Sequence, residues 1–429
     1  MSFALFLVVN AMLFIRPAEF HPALYGMPVY EVCILACLAV SYPAVAARVS
    51  CRALVASPIN ACAAGMLVAI VLSHAANGAA AAAYEYGVEF LKLLLYYFLL
   101  VSVVDTPARL ERFLSAIGVC AASITALAVL HYHKVVNVPA IEFLQTGLDD
   151  SGSLDRTVVR LGSTGLFQDP NDMSLMLVMA TVVCLYQILE RRRAYWSIPL
   201  VLFGHALMLT HSRGGFLGLI AALAVLLIGR YGRKAVPLGL IVLPAVMALF
   251  AGRQTSLSLH EGTGQTRVQL WLEGMMLFIR HPLFGIGSDR YDEYVGHVAH
   301  NSFIHCYTEL GLLGGTLFLG AFYLAFWSLV RLGDRQLPLV TPELRRLRPY
   351  LLAIVAGYST GLLSLSNPYT IPTYTVLGLS SVYVALVERE YGVSVTRLDA
   401  RLVRRLAAVS LAFIIVAQVG VRILARVSG

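Results

Sequence analysis

Residues 191–234 read RRRAYWSIPLVLFGHALMLTHSRGGFLGLIAALAVLLIGRYGRK. Two apolar runs, roughly 196–211 and 214–230, are separated only by Thr210-His211-Ser212-Arg213-Gly214-Gly215, and basic clusters flank them on both outer sides. A helix that crosses a bilayer needs about 20 mostly apolar residues. Arginine and lysine stay on the cytoplasmic side of the membrane. The stretch therefore predicts a helical hairpin that enters the membrane at Arg191–Arg193, turns on the far side at Ser212, and returns at Arg230, Arg233 and Lys234.

The rest of the chain repeats this pattern. Hydrophobic residues make up 59% of the 429 and charged residues 13%, with a mean hydropathy of +0.76. A soluble domain carries about 25% charged residues, so a soluble fold would have little with which to cover its surface. Further apolar runs lie at roughly 2–16, 28–46, 59–77, 86–104, 113–131, 170–190, 235–252, 302–330, 350–367, 372–388 and 406–424, for about 13 in all. The opening MSFALFLVVNAMLFI lacks a basic segment and a small-residue cleavage site, and reads as the first membrane helix rather than a removed signal peptide. The run at 302–330 is long enough to tilt or to extend beyond the bilayer. The expectation is an all-α polytopic membrane protein, one membrane domain over 1–429, with about 12–13 transmembrane helices.

The net charge is +8, and its placement orients the helices. With Arg48 and Arg52 inside, strict alternation also puts 105–112, 191–195, 230–234, 331–349 and 389–405 inside, and each holds at least two basic residues. The clusters are scattered along the chain rather than gathered on one folded surface, which argues against nucleic acid as a partner and for membrane lipids. Two long polar segments, 132–169 and 253–301, then fall outside as loops, the second the larger. Within it Val268, Trp271, Leu272, Met275 and Ile279 recur at helical spacing, which suits a helix on the membrane surface or over a cavity. The seven cysteines show no metal-ligand or redox spacing and predict no structural disulfide.

Three polar places interrupt the apolar pattern, all on the predicted external side. The first is Arg160-Leu-Gly-Ser-Thr-Gly-Leu-Phe-Gln-Asp-Pro-Asn-Asp172. Asp169 to Asp172 have the composition of a capped helix start, which leaves Arg160 unexplained. The second is the hairpin turn. Arg213 there could simply reach for lipid headgroups, but a guanidinium beside the first N–H groups of a helix, with Ser212 and Gly214 opening it, also makes an anion site. The third runs from Arg267 and Trp271 through Arg280-His281-Pro282-Leu283-Phe284-Gly285-Ile286-Gly287 to His300-Asn301-Ser302, where His300 and Asn301 open the long helix. Histidine exchanges a proton near neutrality. His297 and His300 are three apart, but no carboxylate completes a familiar ligand set, so no metal is expected. Gly311, Gly314 and Gly315 read as close helix packing. Glu309, an acid within an apolar helix, reads as a supporting residue that pairs with an arginine or braces the site.

Taken in order, these elements resemble the O-antigen ligase/polymerase superfamily: Asp169-Pro170-Asn171, Ser212-Arg213-Gly214, Arg267 with Trp271, His281-Pro282-Leu283-Phe284-Gly285-Ile286-Gly287, His300-Asn301, and Glu309-Leu310-Gly311. The resemblance covers about 155–320; the first 150 residues match only as generic membrane helices. It implies a GT-C-like, 12-helix glycosyltransferase of a bacterial inner membrane, with its active site facing the periplasm and with no cofactor or metal. Its donor would be an undecaprenyl diphosphate-linked glycan, and its acceptor lipid A core or, for a polymerase, a growing polysaccharide. Arg213, Arg267 and, less directly, Arg160 would bind the donor diphosphate. His300 would be the catalytic base, with Asn301, Ser212, Gly214, Trp271 and Glu309 supporting. In-line displacement would invert the anomeric centre. A reading from a different class is a secondary transporter, whose intramembrane charges would be Lys92 and Glu309.

Overall fold

The computed structural model describes residues 1–20, 26–147, 157–249, 263–333, 341–392 and 395–428. Residues 148–156, 253–262, 334–340 and 393–394 of the expected loops lie outside the described residues. In chain order the helices are α1 (Ser2–Ile15), α2 (Pro17–Phe20), α3 (Val29–Val49), α4 (Cys51–Ala56), α5 (Pro58–Ala76), α6 (Ala80–Val103) and α7 (Pro107–Tyr132). A strand pair follows, β1 (Leu144–Gly147) and β2 (Thr157–Arg160). Then come α8 (Pro170–Leu189), α9 (Ser197–Thr210), α10 (Arg213–Tyr231), α11 (Ala235–Leu249), α12 (Thr263–Arg280), α13 (Tyr291–Val295), α14 (Ser302–Arg331), α15 (Pro342–Leu362), α16 (Ile371–Tyr391) and α17 (Ala400–Ser428).

Each of the thirteen apolar runs is a helix, and the protein is an all-α polytopic membrane protein. Among the described residues nine helices are long and apolar enough to cross a bilayer. The helices at 2–15, 194–210 and 235–248 are apolar but shorter. The thirteenth, α15, begins with Arg345, Arg346 and Arg348 and carries Pro349 in its interior. All seven cysteines are unbonded.

The chain forms two compact units, each assembled from three separate stretches. The first comprises Met1–Ala46, Leu99–Ser256 and Gly333–Gly361. Its centre is α8, buried over most of its length from Met173 to Val183 and packed by α7, α9 and α10. Where α10 meets α15, Gly218 and Gly357 let the two helices approach closely; a methyl group on Gly218 would lie 2.8 Å from the Gly357 carbonyl oxygen. At the end carrying Arg191 and Arg230, the basic residues do more than orient the chain. Arg191 pairs with Glu111 at 3.2 Å, Arg230 pairs with Glu190, and the buried Tyr350 hydroxyl bridges Arg230 (2.9 Å) and Glu190 (3.1 Å).

The second unit comprises Ala47–Phe98, Leu257–Leu332 and Leu362–Gly429. Its centre is α14, which runs along α5 and also packs on α12, α16 and α17. Met275 and Phe278 of α12, Ile304 and Tyr307 of α14, and Val421 of α17 form one buried cluster. The amphipathic segment expected within 253–301 is thus α12, and its apolar face is seated on two helices of its own unit. The expected unbroken helix at 302–330 is corrected: Gly311 has φ 63°, ψ −158°, so the helix is interrupted one residue after Leu310. The start lies where it was expected. The helix opens at Ser302, Asn301 is its cap, and His300 precedes it in the left-handed region at φ 49°.

Candidate active site

In the first unit the residues singled out at 160–172 and 210–214 form one hydrogen-bonded group. Asp169 caps α8 by accepting from the Asn171 N–H at 2.6 Å, which is the plain helix-start role its composition suggested. Asn171 does more. Its Oδ1 accepts from Arg160 Nη2 at 2.9 Å and from the Ser212 hydroxyl at 2.9 Å. Arg160 is buried, and its Nε donates to the Thr210 carbonyl at 2.9 Å. Ser174 Oγ lies 3.0 Å from Ser212 Oγ, and Ser212 Oγ caps α10 by accepting from the Gly215 N–H at 3.1 Å. The strand that presents Arg160 is held on both sides. β1 and β2 are antiparallel, with Leu144 opposite Arg160, and the next residue, Leu161, donates its N–H to the Leu209 carbonyl at 2.9 Å.

The result is a fixed turn at the start of α10. Arg213 is its first residue and is half-buried, while Ser212 and Gly214 beside it are buried. The unsatisfied N–H groups of a helix start and an adjacent guanidinium both favour an anion.

In the second unit the predicted residues lie on a frame built around Glu309. This carboxylate is fully buried. Its Oε1 accepts from the backbone N–H groups of Arg290 (2.9 Å) and Tyr291 (3.0 Å) and lies 3.0 Å from His305 Nε2. Its Oε2 accepts from the Tyr369 hydroxyl at 2.8 Å. Glu309 therefore pairs with a histidine one turn earlier on its own helix and with a loop backbone. The opposite ring nitrogen of His305 lies 3.1 Å from Ser366 Oγ, and the ring stacks on Tyr291 at 5.0 Å. Burial, and Glu309 after it, push the Tyr291 hydroxyl above its ordinary pKa, so this ring remains a neutral donor to the Leu270 carbonyl at 2.7 Å.

The segment His281-Pro-Leu-Phe-Gly-Ile-Gly287 fills the break in α14. Leu312 N–H donates to the Pro282 carbonyl at 2.7 Å, and Gly287 N–H donates to the Glu309 carbonyl at 3.0 Å. The two backbones touch here. A methyl group on Gly311 would lie 2.4 Å from the Leu283 carbonyl carbon, and one on Gly285 would lie 2.3 Å from that of Glu309. Both glycines have positive φ, 63° and 70°, a region that side chains other than glycine's disfavour. Asn77 and Ser73 at the end of α5 tie the same place down, Asn77 to the Gly285 carbonyl (2.9 Å) and Ser73 to the Glu309 carbonyl (2.7 Å).

This frame leads to His300. Trp271 Nε1 donates to the Ala299 carbonyl at 2.6 Å, fixing the residue before the histidine. Asn301 Oδ1 accepts from the Phe303 and Ile304 N–H groups at 3.1 and 3.2 Å, fixing the residue after it. His300 is half-buried, and its ring lies 5.0 Å from that of His297. Arg267 is half-buried on α12, one turn before Trp271. Thus Arg160, Ser212, Gly214 and Arg213 are brought together in the first unit, and Arg267, Trp271, His300, Asn301 and Glu309 are carried by the second.

Several contributors were not selected from the sequence. His305 had a readable signal, since a histidine and a glutamate four apart share one helix face. Tyr369 and Ser366, more than fifty residues downstream, had none.

Residues 198–319 match the family described as O-Antigen ligase. The matched stretch holds Ser212, Arg213, Gly214, Arg267, Trp271, His300, Asn301 and Glu309; Arg160 precedes it. No curated protein matches the chain.

Proposed function

Because residues 198–319 match the family described as O-Antigen ligase, we propose that this membrane protein transfers a glycan from undecaprenyl diphosphate to an acceptor sugar, with lipid A core as the acceptor. The observation that carries the reading is that one matched stretch contains both Arg213, which follows the capping Ser212 at the start of α10, and His300, which precedes the capping Asn301 at the start of α14.

In this reaction an acceptor hydroxyl attacks the anomeric carbon of the donor. The bond from that carbon to the diphosphate oxygen breaks, and its electron pair leaves with the diphosphate. Arg213, with the N–H groups at the start of α10, and Arg267 stabilise that charge; fixed cationic donors aimed at developing charge are a large catalytic term. Arg160 acts through the turn it holds, because its Nε and one terminal nitrogen bond within the fold. His300 accepts the proton of the attacking hydroxyl. Attack opposite the leaving group inverts the anomeric centre. The chemistry calls for no metal, and the reaction takes place on the periplasmic face of a bacterial inner membrane.

The test is transfer by purified protein in EDTA, given undecaprenyl diphosphate-linked glycan with either lipid A core or a second lipid-linked glycan. Product on lipid A core is expected. Chain extension instead would make the protein a polymerase with the same donor chemistry. No product from an intact donor, together with gradient-driven uptake in proteoliposomes, would replace the transferase with a transporter.

A further inference from the structure

Helix α6 carries a charged face that neither the fold nor the proposed chemistry uses. Ala81, Tyr84, Glu85, Glu89 and Lys92 fall at helical spacing, and all are exposed, with Leu91 the one large apolar residue exposed beside them. Tyr84 is 77% exposed, and the Glu89 and Lys92 side chains are 63% and 66% exposed while joined by a 2.6 Å ion pair. The opposite face is packed. Gly87 lies against Val71 of α5, Tyr86 stacks on His74 at 4.9 Å, and Phe90 meets Tyr374 edge-on at 5.3 Å.

The exposure has a floor. From Leu93 to Phe98, the last residue of α6 in the second unit, every residue except Leu95, which is partly exposed, is buried. A lipid-facing side would stay exposed and apolar to the other end of the helix. This one is charged and stops. At about 1.5 Å per residue, Lys92 is about 18 Å from Ala80 and about 16 Å from Val103, close to the middle of the span. Charged side chains at that depth face a bundle interior or a water-filled cavity.

We propose that this face of α6 is the wall of a water-filled groove, open at the Ala80 end and closed at Lys92, that holds the saccharide of the lipid-linked donor. This rests on the transferase reading. The charge selects the occupant. Two carboxylates against one ammonium leave the stripe at −1 (Glu85 and Glu89 against Lys92), which repels a diphosphate. A neutral polyol suits it, since hydroxyls donate to carboxylates and accept from the ammonium, and the exposed Tyr84 ring offers a surface for the apolar face of a sugar. The diphosphate is left to the arginines.

The chain has only three lysines, Lys92, Lys134 and Lys234, so the unmutated protein can be tested. Sealed right-side-out vesicles are treated with a membrane-impermeant amine-acetylating reagent, and each lysine is read by mass spectrometry. Lys134, in the predicted external loop, and Lys92 are expected to react, and Lys234, on the predicted inner side, is not. Lys92 silent beside a reactive Lys134 would overturn the groove. The purified protein in nanodiscs is then acetylated with undecaprenyl diphosphate-linked glycan, with undecaprenyl diphosphate alone, or with lipid A core. At ten times the dissociation constant the glycan-linked lipid should slow Lys92 acetylation about tenfold, and the other two should not. Equal protection by the bare diphosphate lipid, protection by lipid A core, or no protection would each overturn the saccharide assignment. Glycan transfer by the same preparation is measured in parallel. A reactive Lys92 in a protein that transfers nothing leaves the groove standing and removes the donor reading alone.

Discussion

Four donors surround the carboxylate of Glu309: two backbone N–H groups, an imidazole nitrogen and a phenol hydroxyl. An ionised carboxylate only accepts, whereas an amide turns two of its own hydrogens on that shell. Glu309→Gln is therefore expected to destabilise the protein by about 1–3 kcal/mol, the cost of a buried group left facing a wrong partner, as a lowered thermal midpoint of the purified protein. At Arg213 the expectation is different: Arg213→Ala should leave folding intact and lower transfer about 10²–10³-fold, as for removal of one fixed donor to developing charge. Transfer at the parent rate would remove it from the diphosphate site. His300→Ala should cost about 10²–10⁴-fold in turnover while donor lipid still binds; loss of binding as well would make His300 structural. The residues of that chemistry could be singled out in the sequence because a charged or titrating side chain stands out in an apolar chain. The acceptor and donor network around Glu309 could not, because Tyr369 and Ser366 meet it only through the fold.

Among the elements, the helices were readable because an apolar run of sufficient length in a membrane protein leaves the backbone few alternatives. The break in α14 was not. Gly311, Gly314 and Gly315 have the spacing of a close helix contact, and only the left-handed backbone at Gly311 and the carbonyl of Leu283 beside it reveal the interruption. Gly311→Ala and Gly285→Ala each place a methyl group against backbone at a positive φ, and each should cost about 1–3 kcal/mol in thermal unfolding. The β1–β2 pair escaped notice for a simpler reason: four residues per strand give too little alternation to read. Ser212 was legible as a helix start and proves to be more, since its hydroxyl is shared among Asn171, Ser174 and the Gly215 N–H. Ser212→Ala should lose about 1 kcal/mol from the cap alone, and transfer should fall with it because Arg213 follows directly.

For the whole molecule, the alternation of basic clusters predicts a side for each loop. Asn77, Gly285, Ser302, Leu365 and Tyr369 come from four segments predicted to lie outside or to open there, and they meet at one end of the second unit. Exposed Cys51, next to Arg52, belongs to the predicted inner side. A membrane-impermeant maleimide should leave it unlabelled in right-side-out vesicles and label it in inverted ones; the reverse would invert the topology.

The division of the chain also bears on its biogenesis. Each unit draws on an early, a middle and a late stretch, the first closing with 333–361 and the second with 362–429. Chains commonly mature in the order in which they leave the ribosome, one module at a time. Here the first module lacks its third stretch until residues 333–361 have been made, and the second until those after 361 have. Nascent helices must wait in the bilayer as unassembled intermediates, with Glu309 inserted well before Tyr369 has been synthesised to meet it. A ribosome stalled after residue 332 would leave two unfinished bodies rather than one finished and one missing.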